Sequence, residues 1–175
     1  MIINYSHIES KGRALDVGSG PFPCMYKGYE WIHMDPFLYP HVEIIGVGTS
    51  IPFPDKYFDY VRNSCVIEHI DPNDHLLFMQ EMKRVLKSGG FLETVVGDLD
   101  NYIANCKKRE VPWYLVEIEV AKLVNGVDGP GMKHECLCTI NGVLDLYKEV
   151  GLEVVSVDNV SRAPRDVVII GRVNV

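Results

Sequence analysis

Short apolar segments alternate with helical ones from Gly12 almost to the C-terminus, and this alternation limits the chain to few folds. A strand, a crossover and a further strand place successive strands parallel, so the pattern predicts an α/β sheet. Strands are expected at residues 14–17, ended by Gly18; at 31–34, ended by Asp35-Pro36; at 42–47; and at 58–61. Asp71 and Pro72 then open a helix as N-cap and first-turn proline, with Phe78, Met82, Val85 and Leu86 as its buried stripe. Lys83, Arg84 and Lys87 sit at its negative dipole end, and Ser88-Gly89-Gly90 is expected to stop it before a fifth strand at 91–96.

From residue 97 to 138 the strand pattern lapses. A second amphipathic stretch begins at Pro112, places Trp113, Val116, Val120 and Leu123 on one face, and stops at Asn125-Gly126. The stretch is expected to be a lid-like insertion spanning about 98–138, with Trp113 in the core; Tyr102, Trp113 and Tyr114 could also stack on a ring. Its exposed aromatic residues make a homodimer an expectation. Ile140, Val143, Leu144, Tyr147 and Val150 mark a further helix closed by Gly151, and residues 152–157 and 167–171 supply two last strands. The loop between those strands, 159–164, is short enough to make them an antiparallel pair.

At 175 residues, 47% of them hydrophobic, the chain can bury one sizeable core, and a single domain over residues 1–175 is expected. No apolar run reaches the roughly 20 residues that cross a bilayer, and no secretory signal precedes Gly12, which predicts a cytoplasmic protein with no membrane partner. The net charge of −7 and a single dense basic run, Lys107-Lys108-Arg109, argue against a nucleic-acid substrate, whose phosphates call for a basic face. The five cysteines, at 24, 65, 106, 136 and 138, contain no Cys-x-x-Cys pair and read as reduced thiols. Cys136, Cys138 and His134 lack a fourth ligand and the usual spacing of a structural zinc site, so no metal is expected and residues 136–138 read as a strand of alternating small residues.

The most informative segment is Asp16-Val17-Gly18-Ser19-Gly20-Pro21, a Gly-x-Gly turn directly after the first strand. Glycines there let the backbone turn sharply and let a ligand approach without a Cβ in the way. Asp35 follows Asp16 by nineteen residues, at the end of the next strand, where a carboxylate can accept hydrogen bonds from both hydroxyls of an adenosine ribose. Together they predict a bound nucleoside. A dinucleotide would need a third glycine where Pro23 stands, and a helix between Asp16 and Trp31, which are only fifteen residues apart. An NAD-dependent oxidoreductase is therefore disfavoured. S-adenosylmethionine carries a ribose and no phosphate, so the turn and one ribose acid suffice for it, with Asp16 placed to hold its ammonium directly or through water.

At these residues the chain resembles the class I S-adenosylmethionine-dependent methyltransferases, particularly small ones found near polysaccharide and glycan biosynthesis genes. The likeness runs through residues 14–21, Trp31-Ile32-His33-Met34-Asp35, Ile51-Pro52-Phe53-Pro54-Asp55-Lys56-Tyr57-Phe58-Asp59, Val66-Ile67-Glu68-His69-Ile70 and Arg84-Val85-Leu86-Lys87-Ser88-Gly89-Gly90. It implies a Rossmann-like, mostly parallel seven-stranded sheet with the last strand antiparallel and helices on both faces. It also implies that Gly18, Ser19 and Gly20 line the methionyl end of the cofactor, that Asp35 and Pro36 hold the ribose, and that Asn63, Ser64 and Cys65 close the pocket over the sulfonium. Many relatives carry an acid after the third strand to contact the adenine amine; here Val47-Gly48-Thr49-Ser50 has none, which leaves Thr49 or a backbone group in its place.

His69 and His134 are the candidate catalytic residues. A histidine beside the methyl group could take a proton from a hydroxyl nucleophile at neutral pH, and His134 resembles one that many relatives carry before the last helix. The bland alternatives are pocket shaping for Glu68-His69 and a structural hydrogen bond for His134. The function implied is methyl transfer to a small-molecule or glycan-linked acceptor. Its alternative is a non-catalytic cofactor-binding or scaffold protein, suggested by the missing adenine acid, the short first crossover and the short N-terminal extension.

Overall fold

The computed structural model describes residues 12–26, 28–113, 115–117, 120, 134–160 and 166–175. Seven strands form one sheet: β1 (Gly12–Val17), β2 (Tyr29–Asp35), β3 (Ile44–Ile45), β4 (Phe58–Ser64), β5 (Leu86–Gly97), β6 (Leu152–Asn159) and β7 (Asp166–Val173). Their order is β3-β2-β1-β4-β5-β7-β6, and β7 alone runs against its neighbours. The predicted parallel sheet with an antiparallel last strand is thus observed. Helices α1 (His75–Val85), α2 (Leu99–Lys108) and α3 (Ile140–Glu149) accompany it, and no helix among the described residues is long and apolar enough to cross a membrane.

α1 and α3 pack on each other and on one face of the sheet. α1 brings Phe78, Met79, Met82 and Val85 to that face, the i, i+1, i+4, i+7 spacing of an apolar stripe, and each buried side chain of this size contributes about 1.5–3 kcal/mol. Asp71 acts slightly earlier than expected: its carboxylate accepts the Asn73 N–H and caps a 3-10 turn, Pro72–Asp74, that leads into α1. α3 is capped by Thr139, whose hydroxyl accepts the Gly142 N–H, and ends at Gly151 in the left-handed region. Its Tyr147 lies flat on Gly171, where a Cβ would come within 2.4 Å of the ring, and donates its hydroxyl to Thr94 Oγ1 at 2.8 Å. Burial pushes that phenol's pKa far up, so it remains a neutral donor.

Four expectations change. β3 covers two residues rather than 42–47, because a tight turn at 47–50, with Ser50 N–H bonded to the Val47 carbonyl, carries the chain off the sheet edge. Ser88-Gly89-Gly90 does not stop the helix: α1 ends at Val85 and β5 begins at Leu86, with the glycines inside the strand beside a register shift opposite Phe58 and Tyr60. A Cβ on Gly90 would meet the Lys87 carbonyl at 2.9 Å, so the glycine serves that irregularity. Residues 136–138 are not a strand, and Trp113 is 57% exposed while Val116 is buried. Pro112 does begin a helical turn, its carbonyl accepting from Leu115 and Val116, but Leu123, Asn125-Gly126 and Tyr114 lie outside the described residues, as does most of the 159–164 loop.

The opposite face carries polar and aromatic groups. Asp16 of β1, Arg62 of β4 and Glu93 of β5 lie side by side in register, so their side chains meet: Arg62 pairs with Glu93 at 2.8 Å and with Asp16 at 3.2 Å. Tyr60 and Tyr26 donate their hydroxyls to Glu93, and the rings of Tyr26, Trp31 and Tyr60 pack edge to face beside it. Burial works against the Arg62 charge, but Glu93 and then Asp16 outweigh it and hold its pKa above that of an ordinary guanidinium.

Candidate functional site

The strand order reverses direction between β1 and β4, so the loops leaving their carboxyl ends diverge and open a crevice, the position where open α/β sheets bind ligands. A cleft of about 340 Å³ lies there, lined by Val17, Gly18 and Gly20 after β1, Asp35, Pro36, Phe37 and Tyr39 after β2, Gly46 to Gly48 after β3, and Cys65, Val66, His69 and Ile70 after β4. No helix separates β1 from β2 among the described residues, as the short spacing predicts.

The turn after β1 is tied to β2 by the Gly18 and Ser19 N–H groups, which both donate to the Met34 carbonyl. Gly18 has φ +68°, and a Cβ on it would lie 2.5 Å from Val66 Cγ2, so both conformation and space demand glycine. Gly48 closes the other end, where a Cβ would meet the Phe78 ring at 2.4 Å.

Among the described residues, Asp35 is the one carboxylate lining this cleft. Its side chain is held by two backbone donors at 2.8 Å each, Gly20 N–H to Oδ2 and Phe37 N–H to Oδ1. A carboxylate has about four acceptor positions, so two remain for a ligand's hydroxyls. The carboxylate is thereby oriented before any ligand arrives, which reduces the ordering cost of binding.

The other sequence candidates are distributed differently. Asp16 has no exposure, and its oxygens are taken by Arg62 and by the Cys24 N–H at 2.9 Å; it does not line the cleft. Ser19 is buried, its hydroxyl 3.4 Å from His41 Nε2. Asn63 is fully buried and donates to Thr94 Oγ1 at 3.1 Å, Ser64 is half-buried, and Thr49 is half-buried; none of the three is among the lining residues. Residues 46–48 border the cleft after β3.

A second cavity of about 130 Å³ adjoins the first, with Cys65 lining both. Cys65 has φ +53°, an uncommon conformation for a residue with a side chain, and its N–H bonds the Val95 carbonyl. Glu68, Asp98, Tyr102, His134, Leu137 and Asp166 are among the other lining residues. Asp98 holds this wall together: it caps α2 through the Asn101 N–H and also accepts the Ile140 N–H at the start of α3.

His69 and His134 meet at the junction of the two cavities, ring centroids 4.7 Å apart and nearly perpendicular. The Glu135 and Cys136 N–H groups donate to the Glu68 carbonyl at 2.8 and 3.3 Å, which docks the segment carrying His134 onto the 3-10 turn carrying His69. Sequence reasoning named both histidines separately. It missed that the Glu68-His69 pair and His134 meet, because the contact joins segments 65 residues apart.

Residues 34–94 match the model of a methyltransferase domain family. A demethylmenaquinone methyltransferase from Lysinibacillus sphaericus is 38% identical over 68 residues, a stretch that covers 37% of this chain and 28% of that protein. An S-adenosylmethionine-dependent methyltransferase structure from Methanosarcina mazei superposes with a TM-score of 0.69 at 18% identity, covering 100% of this chain and 98% of that one. The 1,6-didemethyltoxoflavin-N1-methyltransferase of Burkholderia thailandensis, solved with its substrate and S-adenosylhomocysteine, gives a TM-score of 0.68 at 14% identity over 97% of this chain and 74% of that one. The chain has the fold of class I S-adenosylmethionine-dependent methyltransferase structures, and its residues 34–94 are similar to the methyltransferase domain family.

Proposed function

We propose that the chain is a methyltransferase that binds S-adenosylmethionine in the larger cleft and methylates a hydroxyl of a small-molecule acceptor seated in the smaller one. The observation that carries this reading is Asp35: a buried carboxylate at the end of β2, held by two backbone N–H groups, facing a glycine-walled crevice with acceptor positions to spare. The ribose hydroxyls bond to it, the adenine lies against the backbone of residues 46–48, and the methionyl end follows Gly18 and Gly20. Because Asp16 is engaged by Arg62, the ammonium is met by the turn's carbonyls rather than by that carboxylate.

Methyl transfer is an in-line displacement at a carbon already activated by the sulfonium. Alignment and exclusion of water supply most of the acceleration. The acceptor oxygen attacks the methyl carbon, the carbon–sulfur bonding pair passes to sulfur, and the hydroxyl proton must leave. His69 and His134, at the junction of cofactor and acceptor cavities, are the groups of this chain placed to activate that hydroxyl. The smaller cavity's size favours a compact acceptor over a polymer, and a glycan-linked acceptor would enter only by its terminal hydroxyl.

The test is calorimetric titration with S-adenosylhomocysteine followed by a screen of small hydroxyl acceptors with labelled S-adenosylmethionine. One-to-one binding and label transfer are expected. Absence of binding by the wild-type chain overturns the proposal, and binding without transfer to any acceptor would favour the non-catalytic reading.

A further inference from the structure

Three potential metal ligands converge where the two cavities meet. One ligand atom each from Glu68, His69 and His134 lies within 4.8 Å of the others. Glu68 is only 6% exposed, and its Oε2 is fully buried with no hydrogen-bond partner. Leaving a buried acceptor unsatisfied costs about 1–3 kcal/mol, more for a charged one. The docking of residues 135 and 136 onto the Glu68 carbonyl holds the two histidine-bearing segments together, so the cluster does not depend on a mobile side chain reaching across the cleft.

We propose that Glu68, His69 and His134 bind one divalent transition-metal ion of the zinc class, with an open coordination position toward the smaller cavity, where it takes the oxygen of the acceptor. Two imidazoles and one carboxylate suit zinc, cobalt or ferrous iron, whereas magnesium and calcium prefer all-oxygen sets. A zinc-class ion holds such donors at roughly 2.0–2.2 Å, and three protein ligands leave a fourth position open. The site departs from the absence of metal expected from the sequence, because that argument weighed His134 with Cys136 and Cys138 and could not bring Glu68 and His69 to it.

The catalytic consequence rests on the methyl-transfer reading; ion binding does not. A hydroxyl coordinated to the ion has a lowered pKa and loses its proton to solvent. The resulting alkoxide forms the new carbon–oxygen bond, the methyl–sulfur bond breaks with its electron pair on sulfur, and the products are the methyl ether and S-adenosylhomocysteine. Ligation thus replaces direct proton uptake by an imidazole as the means of activation.

The neighbouring thiols offer a competing site, since Cys136 Sγ lies 3.8 Å from both Cys138 Sγ and His75 Nε2. A spectroscopic titration separates the two. Purified full-length chain, stripped with chelator, is titrated with cobalt chloride and followed by visible absorption, then repeated with Glu68→Gln and His134→Gln. S-adenosylhomocysteine calorimetry and circular dichroism on each variant show that it is folded with its cofactor cleft intact. The proposal predicts d–d bands saturating at one equivalent, displaced by zinc chloride, and affinity weakened by about tenfold or more in each variant. No saturable spectrum in the wild type overturns it, as do unchanged affinity in both variants or an intense near-ultraviolet charge-transfer band, which would place the ion on the thiolates. Failure of S-adenosylhomocysteine to bind would instead overturn the proposed function while leaving the cobalt result to stand by itself.

Discussion

The two walls of the crevice are built on different principles. The wall from β1 and β2 presents backbone and one carboxylate: Gly18 and Gly20 turn the chain, and two N–H groups aim Asp35. The opposing wall presents side chains, with Glu68 and His69 on a 3-10 turn after β4 and His134 delivered from a distant segment. The first wall suits an invariant ligand, because backbone geometry admits little variation. The second can be rebuilt by changing side chains, which is what a site that selects the acceptor requires. Under the proposed function the difference teaches that cofactor and acceptor recognition are separable, and substitutions should divide accordingly.

The largest effect should fall beneath both walls. Arg62→Met leaves Asp16 and Glu93 buried without their cation and should lower unfolding stability by about 3–5 kcal/mol in urea titration. A loss below about 1 kcal/mol would mean that the tyrosine hydroxyls alone satisfy Glu93 and that the sheet does not rely on the ion pair.

On the acceptor wall, His134→Gln should reduce kcat roughly 100-fold while leaving S-adenosylhomocysteine affinity unchanged in calorimetry. Equal losses in both would break the separation of the walls. On the cofactor wall, Gly18→Ala forces a Cβ against Val66 in a left-handed turn and should cost about 2 kcal/mol in stability, with weakened cofactor binding. Gly20→Ala meets nothing within 4 Å and should cost only the left-handed backbone penalty, about 1 kcal/mol. Equal costs at the two positions would show that the approach to Val66 is relieved by a shift of the 66–70 turn.

The smallest effect is a pH dependence in the loop that follows the 47–50 turn. Arg84 donates to Glu81, to Asp55 and to the carbonyls of Ile51 and Phe53, and Glu81 in turn accepts the Ile51 N–H. The Arg84 hydrogen bond holds the Glu81 pKa below the ordinary carboxylate value. A depressed acid contributes stability that is present above its unfolded pKa and lost as pH falls through its folded one. Wild-type stability should therefore decline across that acidic window more steeply than that of Glu81→Gln, as read from denaturation midpoints at successive pH values. Parallel curves would remove Glu81 from the account of the loop.

What could be read from the sequence follows the same division. The Gly-x-Gly turn and Asp35 are local signals on consecutive strands, and their spacing alone places them at one sheet edge. The stripe of α1 and the α3 helix ending at Gly151 were legible because helical periodicity is local. Ser88-Gly89-Gly90 misled because glycines serve a strand irregularity as readily as a helix stop, and residues 42–47 because an apolar run does not tell how long it stays paired at an edge. Trp113 misled because helical spacing does not say which face is buried. Asp16 pointed to a ligand ammonium, whereas its partner is set by the cross-strand register that brings Arg62 alongside, information that no single segment holds. The meeting of Glu68, His69 and His134 was hidden for the same reason.

The most direct test of the central claim is a side-by-side calorimetric titration of wild-type chain and Asp35→Ala with S-adenosylhomocysteine. Loss of two charge-assisted hydrogen bonds to the ribose predicts one-to-one binding by the wild type, weakened roughly 100-fold or more in the variant, with circular dichroism showing both folded. Equal affinity in the two chains would contradict the assignment of Asp35 and of the switch-point crevice as the cofactor site.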